Sequence, residues 1–239
     1  MKLFISPPFG NYIYLPYTIP IRGSYTIEPR TGLILQVLKT LRYSYEHNGW
    51  INKIGLRNKG IDWALRRCQK YCDENGEIIS IAIMNEDDVK KMINKIPDNV
   101  NLELNVSCPN TDKKMVNKGL SQFINNDRRW CIIKVSPTIN TNEIDMYYNQ
   151  GFRQFHCSNT LPTPTGGLSG RTLMSYNEKI ICYLRTNYPD VEIIGGGGIT
   201  SWKDVEKYKK WGVNHIAIST VCFNPLKLAN LYINYMRNL

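Results

Sequence analysis

A chain of 239 residues with 42% hydrophobic and 11% aromatic content is long and apolar enough to build a sizeable core, as one large domain or two small ones. Thirty lysines and arginines against twenty acidic residues leave a formal charge of +10 and a sequence pI of about 9.2. The basic residues are spread through helical stretches and do not cluster with aromatics, which speaks against a nucleic-acid partner; the surplus would still draw small anions such as carboxylates and phosphates into a cleft. The N-terminal stretch has no apolar run of signal-peptide length, and no segment approaches the roughly 18 apolar residues of a membrane span, so a soluble cytoplasmic protein is expected. Seven cysteines, at 68, 72, 108, 131, 157, 182 and 222, are odd in number and form no CxxC pair, which predicts reduced thiols and no metal site.

In chain order, short β-rich runs alternate with amphipathic helical stretches, the rhythm of a parallel α/β architecture. The first two strands are read at 3–6 or 12–15, then at 19–27. A helical pattern runs from 32 to about 47, with Leu33, Leu35, Val37, Leu38 and Leu41 as its apolar stripe. An irregular piece rich in glycine and asparagine follows at 51–60, with the character of a binding loop, before a helix near 62–72. Six strand–helix units complete the chain: 78–84 with 86–96, 102–107 with 120–126, 130–135 with 142–149, 154–158 with 174–188, 191–194 with 201–211, and 215–219 with 226–237. Two early strands and six later ones make eight. This predicts an α/β fold, a TIM (β/α)8 barrel with a reduced N-terminal region, as one domain over 1–239.

In such a barrel the residues just past each strand carry the chemistry. The segment Glu103-Leu104-Asn105-Val106-Ser107-Cys108-Pro109-Asn110 takes an apolar strand into amides, a thiol and a proline. Cys108 is either a small buried thiol or, given Asn105 and Asn110 beside it and Pro109 fixing the backbone, a thiol facing a polar pocket and able to take a carbon-bound proton. Lys134 is a lone cation in an apolar strand; it pairs with a structural carboxylate or faces a ligand that becomes negative, and its place at a strand end favours the ligand. A reduced flavin, negative around N1 and the C2 carbonyl, would match it. Gly195 to Gly198, between a buried strand and a helix, with Ser219 and Thr220 ending the next strand, read as a phosphate cradle, the alternative being a tight turn. His47, His156 and His215 have only structural readings, since none has metal-ligand or triad spacing.

Taken together these residues resemble the dihydroorotate dehydrogenases, FMN flavoproteins of pyrimidine biosynthesis, over about 21–220. Residues 105–110 resemble the family's central signature, and a cysteine at 108 is similar to the soluble class 1 enzymes. Ser24-Tyr25-Thr26-Ile27-Glu28-Pro29-Arg30 resembles the strand preceding the flavin-side loop, and Asn52-Lys53-Ile54-Gly55-Leu56 the loop holding the substrate carboxylate. Lys134 matches the flavin-contacting lysine, Asn159 and Thr160 the substrate-binding pair, Gly166-Gly167-Leu168-Ser169-Gly170 the glycine loop near the flavin phosphate, and Gly197, Gly198 and Thr220 the phosphate cradle. Ser219 stands where a glycine is usual, Ser6-Pro7-Pro8-Phe9-Gly10 is the nearest counterpart of an N-terminal flavin-contacting turn, and the family's second lysine aligns with Gly23.

The resemblance implies oxidation of dihydroorotate to orotate. Cys108 would remove the C5 proton as C6 delivers hydride to N5 of FMN, with Lys134 stabilising the reduced flavin. Asn52, Ile54, Gly55, Leu56, Asn105, Asn110, Asn159 and Thr160 would hold the substrate. Ser24, Asn105, Lys134, Ser158, Gly167, Gly197, Gly198, Ser219 and Thr220 would hold the cofactor. A homodimer is implied by class 1 relatives; the electron acceptor, whether fumarate, NAD through a partner subunit or a quinone, stays open. So does a second reading, a catalytically impaired relative that binds FMN or a pyrimidine acid, which Gly23 favours.

Overall fold

The computed structural model describes residues 1–71, 76–107 and 118–239, without the side chains of 69–71. Eight parallel strands close into a barrel. They are β1 (Leu3–Ile5), β2 (Thr18–Tyr25), β5 (Ile78–Ile81), β6 (Leu102–Asn105), β7 (Cys131–Lys134), β8 (Gln154–Cys157), β11 (Glu192–Gly196) and β12 (His215–Ile218), with β1 sealed between β12 and β2. Of the two choices for the first strand, 3–6 is the one used.

Period-two alternation sorts each strand's residues between the barrel interior and the helix-covered outside. Phe4, Ile19, Ile21, Ile78, Trp130, Ile132 and Ile194 fill the interior toward the strand N-termini. The next inward positions up the strands are polar: Ser80 on β5, Glu103 on β6, Lys134 on β7 and His156 on β8, all buried. Register sets them side by side, with Asn105 opposite Lys134 and Lys134 opposite His156. An apolar layer therefore supports a charged one directly beneath the barrel mouth.

The helices α2 (Ile61–Tyr71), α3 (Glu86–Lys95), α4 (Thr141–Asn149), α5 (Leu173–Asn187), α6 (Trp202–Trp211) and α7 (Pro225–Arg237) follow their expected strands. Their starts are chemically marked. Asn85 accepts from Asp88 N and Asn224 from Lys227 N, and Asn140 with Glu143 makes a reciprocal capping box.

The helix expected over 32–47 is shorter: α1 (Leu33–Thr40) stops where Leu41 turns extended, and the chain continues as a hairpin of β3 (Arg42–Ser44) and β4 (Gly49–Asn52). None of its residues is buried, and Ile34, Leu35 and Leu38 are exposed, so the apolar stripe faces outward. The hairpin joins β9 (Leu161–Thr163) and β10 (Gly166–Gly170) in a second, four-stranded sheet, ordered β3-β4-β10-β9. The segment expected as a glycine loop is thus a strand: Gly167 pairs with Asn52 and Gly170 with Gly49.

The expectation of reduced thiols holds at Cys131, Cys157, Cys182 and Cys222. It fails at Cys68, which is disulfide-bonded. Among the described residues no cluster of His, Cys, Asp and Glu could hold a metal ion, and no helix is long and apolar enough to cross a membrane.

Candidate active site

A cavity opens at the C-terminal ends of β1, β7, β8, β11 and β12, where barrels of this kind bind their ligands. Its walls include Ser6, Lys134, His156, Ser158, Asn159, Thr160, Gly197, Gly198, Ser219 and Thr220. Lys134, Ser158, Asn159, Thr160, Gly197, Gly198, Ser219 and Thr220 are among the residues expected from sequence, brought together from four strand ends.

On one side stands the glycine run. Gly197 and Gly198 have φ of 108° and 76°, and a Cβ on Gly198 would meet Arg171 Cα at 2.8 Å and Gly170 O at 2.9 Å. Only glycine lets the chain pass there. The run is fastened from behind by two helices. Asn177 of α5 donates Nδ2 to Gly196 O at 2.6 Å and accepts from Ser158 Oγ at 2.6 Å, and Tyr208 of α6 donates its hydroxyl to Gly197 O at 2.7 Å. With the carbonyls of Gly196 and Gly197 engaged in these bonds, the cavity wall is left to bare, tightly held backbone.

Opposite lies a chain of hydroxyls and amides. Asn105 Nδ2 donates to Ser24 Oγ at 2.9 Å, and Ser24 Oγ shares a proton contact of 2.7 Å with Ser80 Oγ. Asn105 Oδ1 accepts from Asn159 Nδ2 at 2.9 Å, and the same Nδ2 reaches Ser107 O at 3.0 Å. Asn159 Oδ1 in turn accepts from Thr160 N. Three strand ends are thereby locked to the residue immediately before Cys108. Cys108 and Asn110 themselves lie outside the described residues.

Lys134 both lines the cavity and meets a carboxylate, so the two alternatives open for it in the sequence are realised together. Its Nζ is 3.5 Å from Glu103 Oε1, which also accepts from Ser80 Oγ at 2.8 Å, while Glu103 Oε2 is 2.6 Å from His156 Nδ1. Burial opposes charge on Glu103, yet Lys134, His156 and the Ser80 hydroxyl hold its pKa down to about 2. Burial and the neighbouring Lys134 push His156 below its ordinary value, against the pull of Glu103. A carboxylate and a neutral imidazole are thus held together at the cavity floor beside Lys134.

The loop of Asn52, Ile54, Gly55 and Leu56 leaves β4 outside the cavity wall. It is held by Arg30 Nε donating to Gly55 O at 3.2 Å and by Asn58, which donates to Leu56 O and accepts from Gly60 N at 2.7 Å each. Gly167 also stands back from the wall, in register with Asn52; Ser169 and Gly170 of the same strand line it instead. Ser24 reaches the site through Asn105.

Two residues of the site, Glu103 and His156, carry no evident signal of their own in the sequence, and Ser6 only that of its N-terminal turn. Ser6 follows β1, and its buried Oγ has no hydrogen-bond partner among the described residues. Glu103 and His156 each precede an expected site residue, Asn105 and Ser158, by two positions. The alternation of a strand is the signal that they share its face. His156, for which only a structural role was expected, lines the cavity.

The residues present fit a phosphorylated, planar heterocycle. The orphaned Ser6 hydroxyl calls for a polar partner, the backbone of Gly197 and Gly198 forms part of the wall beside the hydroxyls of Ser219 and Thr220, and Lys134 offers a cation to an electron-rich ring.

The geometry defines a parallel βα-barrel with a cavity at its strand ends. A family model described as "Dihydroorotate dehydrogenase" matches residues 18–145 and 124–233, and the chain belongs to that family. One relative is the catalytic subunit of dihydroorotate dehydrogenase B (NAD(+)) of Oceanobacillus iheyensis, 28% identical over 91% of this chain and 81% of the relative. Another is the dihydroorotate dehydrogenase (fumarate) of Saccharomyces mikatae, 27% identical over 83% of this chain and 75% of the relative. The fold matches a crystal structure of DHODH from Eimeria tenella in complex with ferulenol, with a TM-score of 0.78 and 17% identity over 100% of this chain and 82% of that one.

Proposed function

We propose that residues 1–239 form one FMN-binding barrel that oxidises dihydroorotate to orotate in pyrimidine biosynthesis. The observation that carries this is the joining of two half-sites. The Lys134 cavity with its glycine wall lies beside the Asn105–Asn159 amide pair, which is tied to the residue before Cys108.

FMN bound in the cavity supplies the acceptor for two electrons. Ser24, Asn105, Lys134, Ser158, Gly197, Gly198, Ser219 and Thr220 would hold it, with Gly167 in the strand behind the wall, and the backbone of the glycine run and the hydroxyls of Ser219 and Thr220 would meet the phosphate. Lys134 lowers the energy of negative charge on the ring beside it. Asn52, Ile54, Gly55, Leu56, Asn105, Asn110, Asn159 and Thr160 orient the substrate by complementary donors and acceptors. The Cys108 thiolate takes the proton from C5 of the substrate. The protein works in the cytoplasm as a homodimer.

Purified protein should be yellow and should bleach anaerobically on addition of dihydroorotate, and one of fumarate, NAD with a partner subunit or a quinone should restore the colour. Cys108→Ala should keep its flavin and lose the bleaching. A colourless protein that takes up no added FMN sinks the proposal. The competing reading, a binding protein without turnover, rests on Gly23 and predicts yellow protein that dihydroorotate does not bleach.

A further inference from the structure

We propose that His156 is a positioning residue for the Lys134 cation, acting through the carboxylate of Glu103 one layer beneath the cavity. The proposal rests on the reading of that cavity as a flavin site and deepens it.

Glu103 is fully buried and, as a carboxylate, can only accept hydrogen bonds. The proton between it and His156 therefore belongs to the imidazole: Nδ1 donates to Oε2 at 2.6 Å. This fixes the tautomer, leaving Nε2 with a lone pair on a side chain that lines the cavity, and no hydrogen bond engages that nitrogen among the described residues. The other carboxylate oxygen divides its attraction between Ser80 at 2.8 Å and Lys134 at 3.5 Å. The contact to Lys134 is the longest of the three. With Oε2 satisfied by His156 and Oε1 by Ser80, Glu103 anchors the ammonium without fully engaging it, and Nζ keeps donors for whatever occupies the cavity.

Removing the imidazole donor reverses that balance. Oε2 would be left buried and unsatisfied, and the nearest mobile donor is Lys134. The cation would be drawn down to the carboxylate and away from the ring, where it stabilises negative charge. Flavin reduction, which adds electron density to that ring, would become less favourable.

The test is the two-electron midpoint potential of the bound flavin in His156→Asn, His156→Phe and His156→Gln, with flavin stoichiometry measured on each. An asparagine amide can occupy the place of Nδ1 and keep the donor; a glutamine amide reaches toward Nε2 and a phenylalanine has none. We expect the Asn variant to stay near the native potential. The Gln and Phe variants should fall by a factor of roughly ten in the reduced-to-oxidised equilibrium, about 30 mV for a two-electron couple. Equal potentials in all four proteins, or an Asn variant as low as the Phe variant, overturn the proposal. If the Phe variant fails to fold, the Asn–Gln comparison decides. The imidazole ¹⁵N shifts of the flavin-free protein provide an independent test: Nδ1 protonation supports the route through Glu103, and an Nε2-protonated ring overturns it. Absence of FMN uptake by the native protein overturns the flavin reading itself, an outcome distinct from uptake with unmoved potentials.

Discussion

The backbone carbonyl of Ser80 closes over Gly23 so tightly that a Cβ at Gly23 would stand 2.4 Å from its oxygen. Gly23 also has φ of 122°, a region that side-chain-bearing residues rarely adopt. The second lysine of the family pattern therefore has no room at this position. The neighbouring Arg22 is committed elsewhere, its Nε donating to Glu77 Oε2 at 2.7 Å and its Nη1 to Asn11 O at 3.3 Å. Gly23→Lys is expected to destabilise the protein by about 2–3 kcal/mol, from overpacking and backbone strain together, and to give no gain in turnover. Urea denaturation beside the dihydroorotate bleaching rate checks this; a stable and faster Gly23→Lys variant would refute it.

Lys134 and Glu103 make a second prediction. Removing one partner of a buried pair leaves an uncompensated charge, which typically costs about 3–5 kcal/mol, whereas neutralising both costs much less. Lys134→Met should lose stability on that scale, softened because Ser80 and His156 still donate to Glu103. Adding Glu103→Gln should return more than half of the loss. A double-mutant cycle by urea denaturation measures the coupling, and additive losses would show that the pair does not interact.

The barrel was legible in the sequence because its strands are short, apolar and separated by capped helices, patterns that burial alone enforces. Lys134, Asn105, Gly197 and Gly198 stood out for the complementary reason: a cation, an amide or a bare backbone at a strand end has no packing role. What escaped was whatever depends on contacts distant in sequence. The glycines of 166–170 suit a loop in isolation, but they serve close strand approach, since a Cβ at Gly166 would meet Asn52 O at 2.4 Å. Likewise α1 has the apolar spacing of a packed helix, and only its position on the small sheet leaves Ile34, Leu35 and Leu38 outside. Glu103 and His156 looked like ordinary strand residues until register set His156 opposite Lys134 and the inward face brought Glu103 within 3.5 Å of its Nζ.

Acid should weaken the protein in two stages. The folded-state pKa of His156 is depressed by burial and by Lys134 on β7, with Glu103 on β6 opposing. The unfolded chain thus takes up a proton near pH 6.5 that the folded one refuses, so the stability His156 contributes is present above about 6.5 and lost as pH falls below it. Glu103, held down to about 2, contributes stability present above about 4.3 and lost as pH falls toward 2. Between pH 7.5 and 5.5 the native protein should lose stability that His156→Asn does not lose. Urea midpoints at the two pH values test this, and parallel losses in both proteins would refute it.

Asn177 offers the clearest separation of cradle from catalyst. It is fully buried in α5, and its amide group alone joins Ser158 Oγ, Gly196 O and Tyr208 Oη, at 2.6, 2.6 and 2.8 Å. Asn177→Ala leaves the Ser158 hydroxyl with only its longer bond to Asn159 O at 3.2 Å and weakens the hold on a carbonyl, each costing up to about 1–3 kcal/mol where nothing replaces the partner. Tyr208 still donates to Gly196 O at 3.2 Å and to Gly197 O, so the run should loosen without collapsing. The expected outcome is FMN affinity reduced by roughly ten- to a hundredfold, about 1.4–2.8 kcal/mol, with the bleaching rate of the loaded fraction nearly native. Tyr208→Phe should weaken FMN binding less, because Asn177 keeps Gly196 O engaged. Fluorescence titration with FMN, and with riboflavin as the control lacking phosphate, reads both effects. An equal loss for riboflavin would mean that Asn177 supports the cavity as a whole and not the phosphate wall.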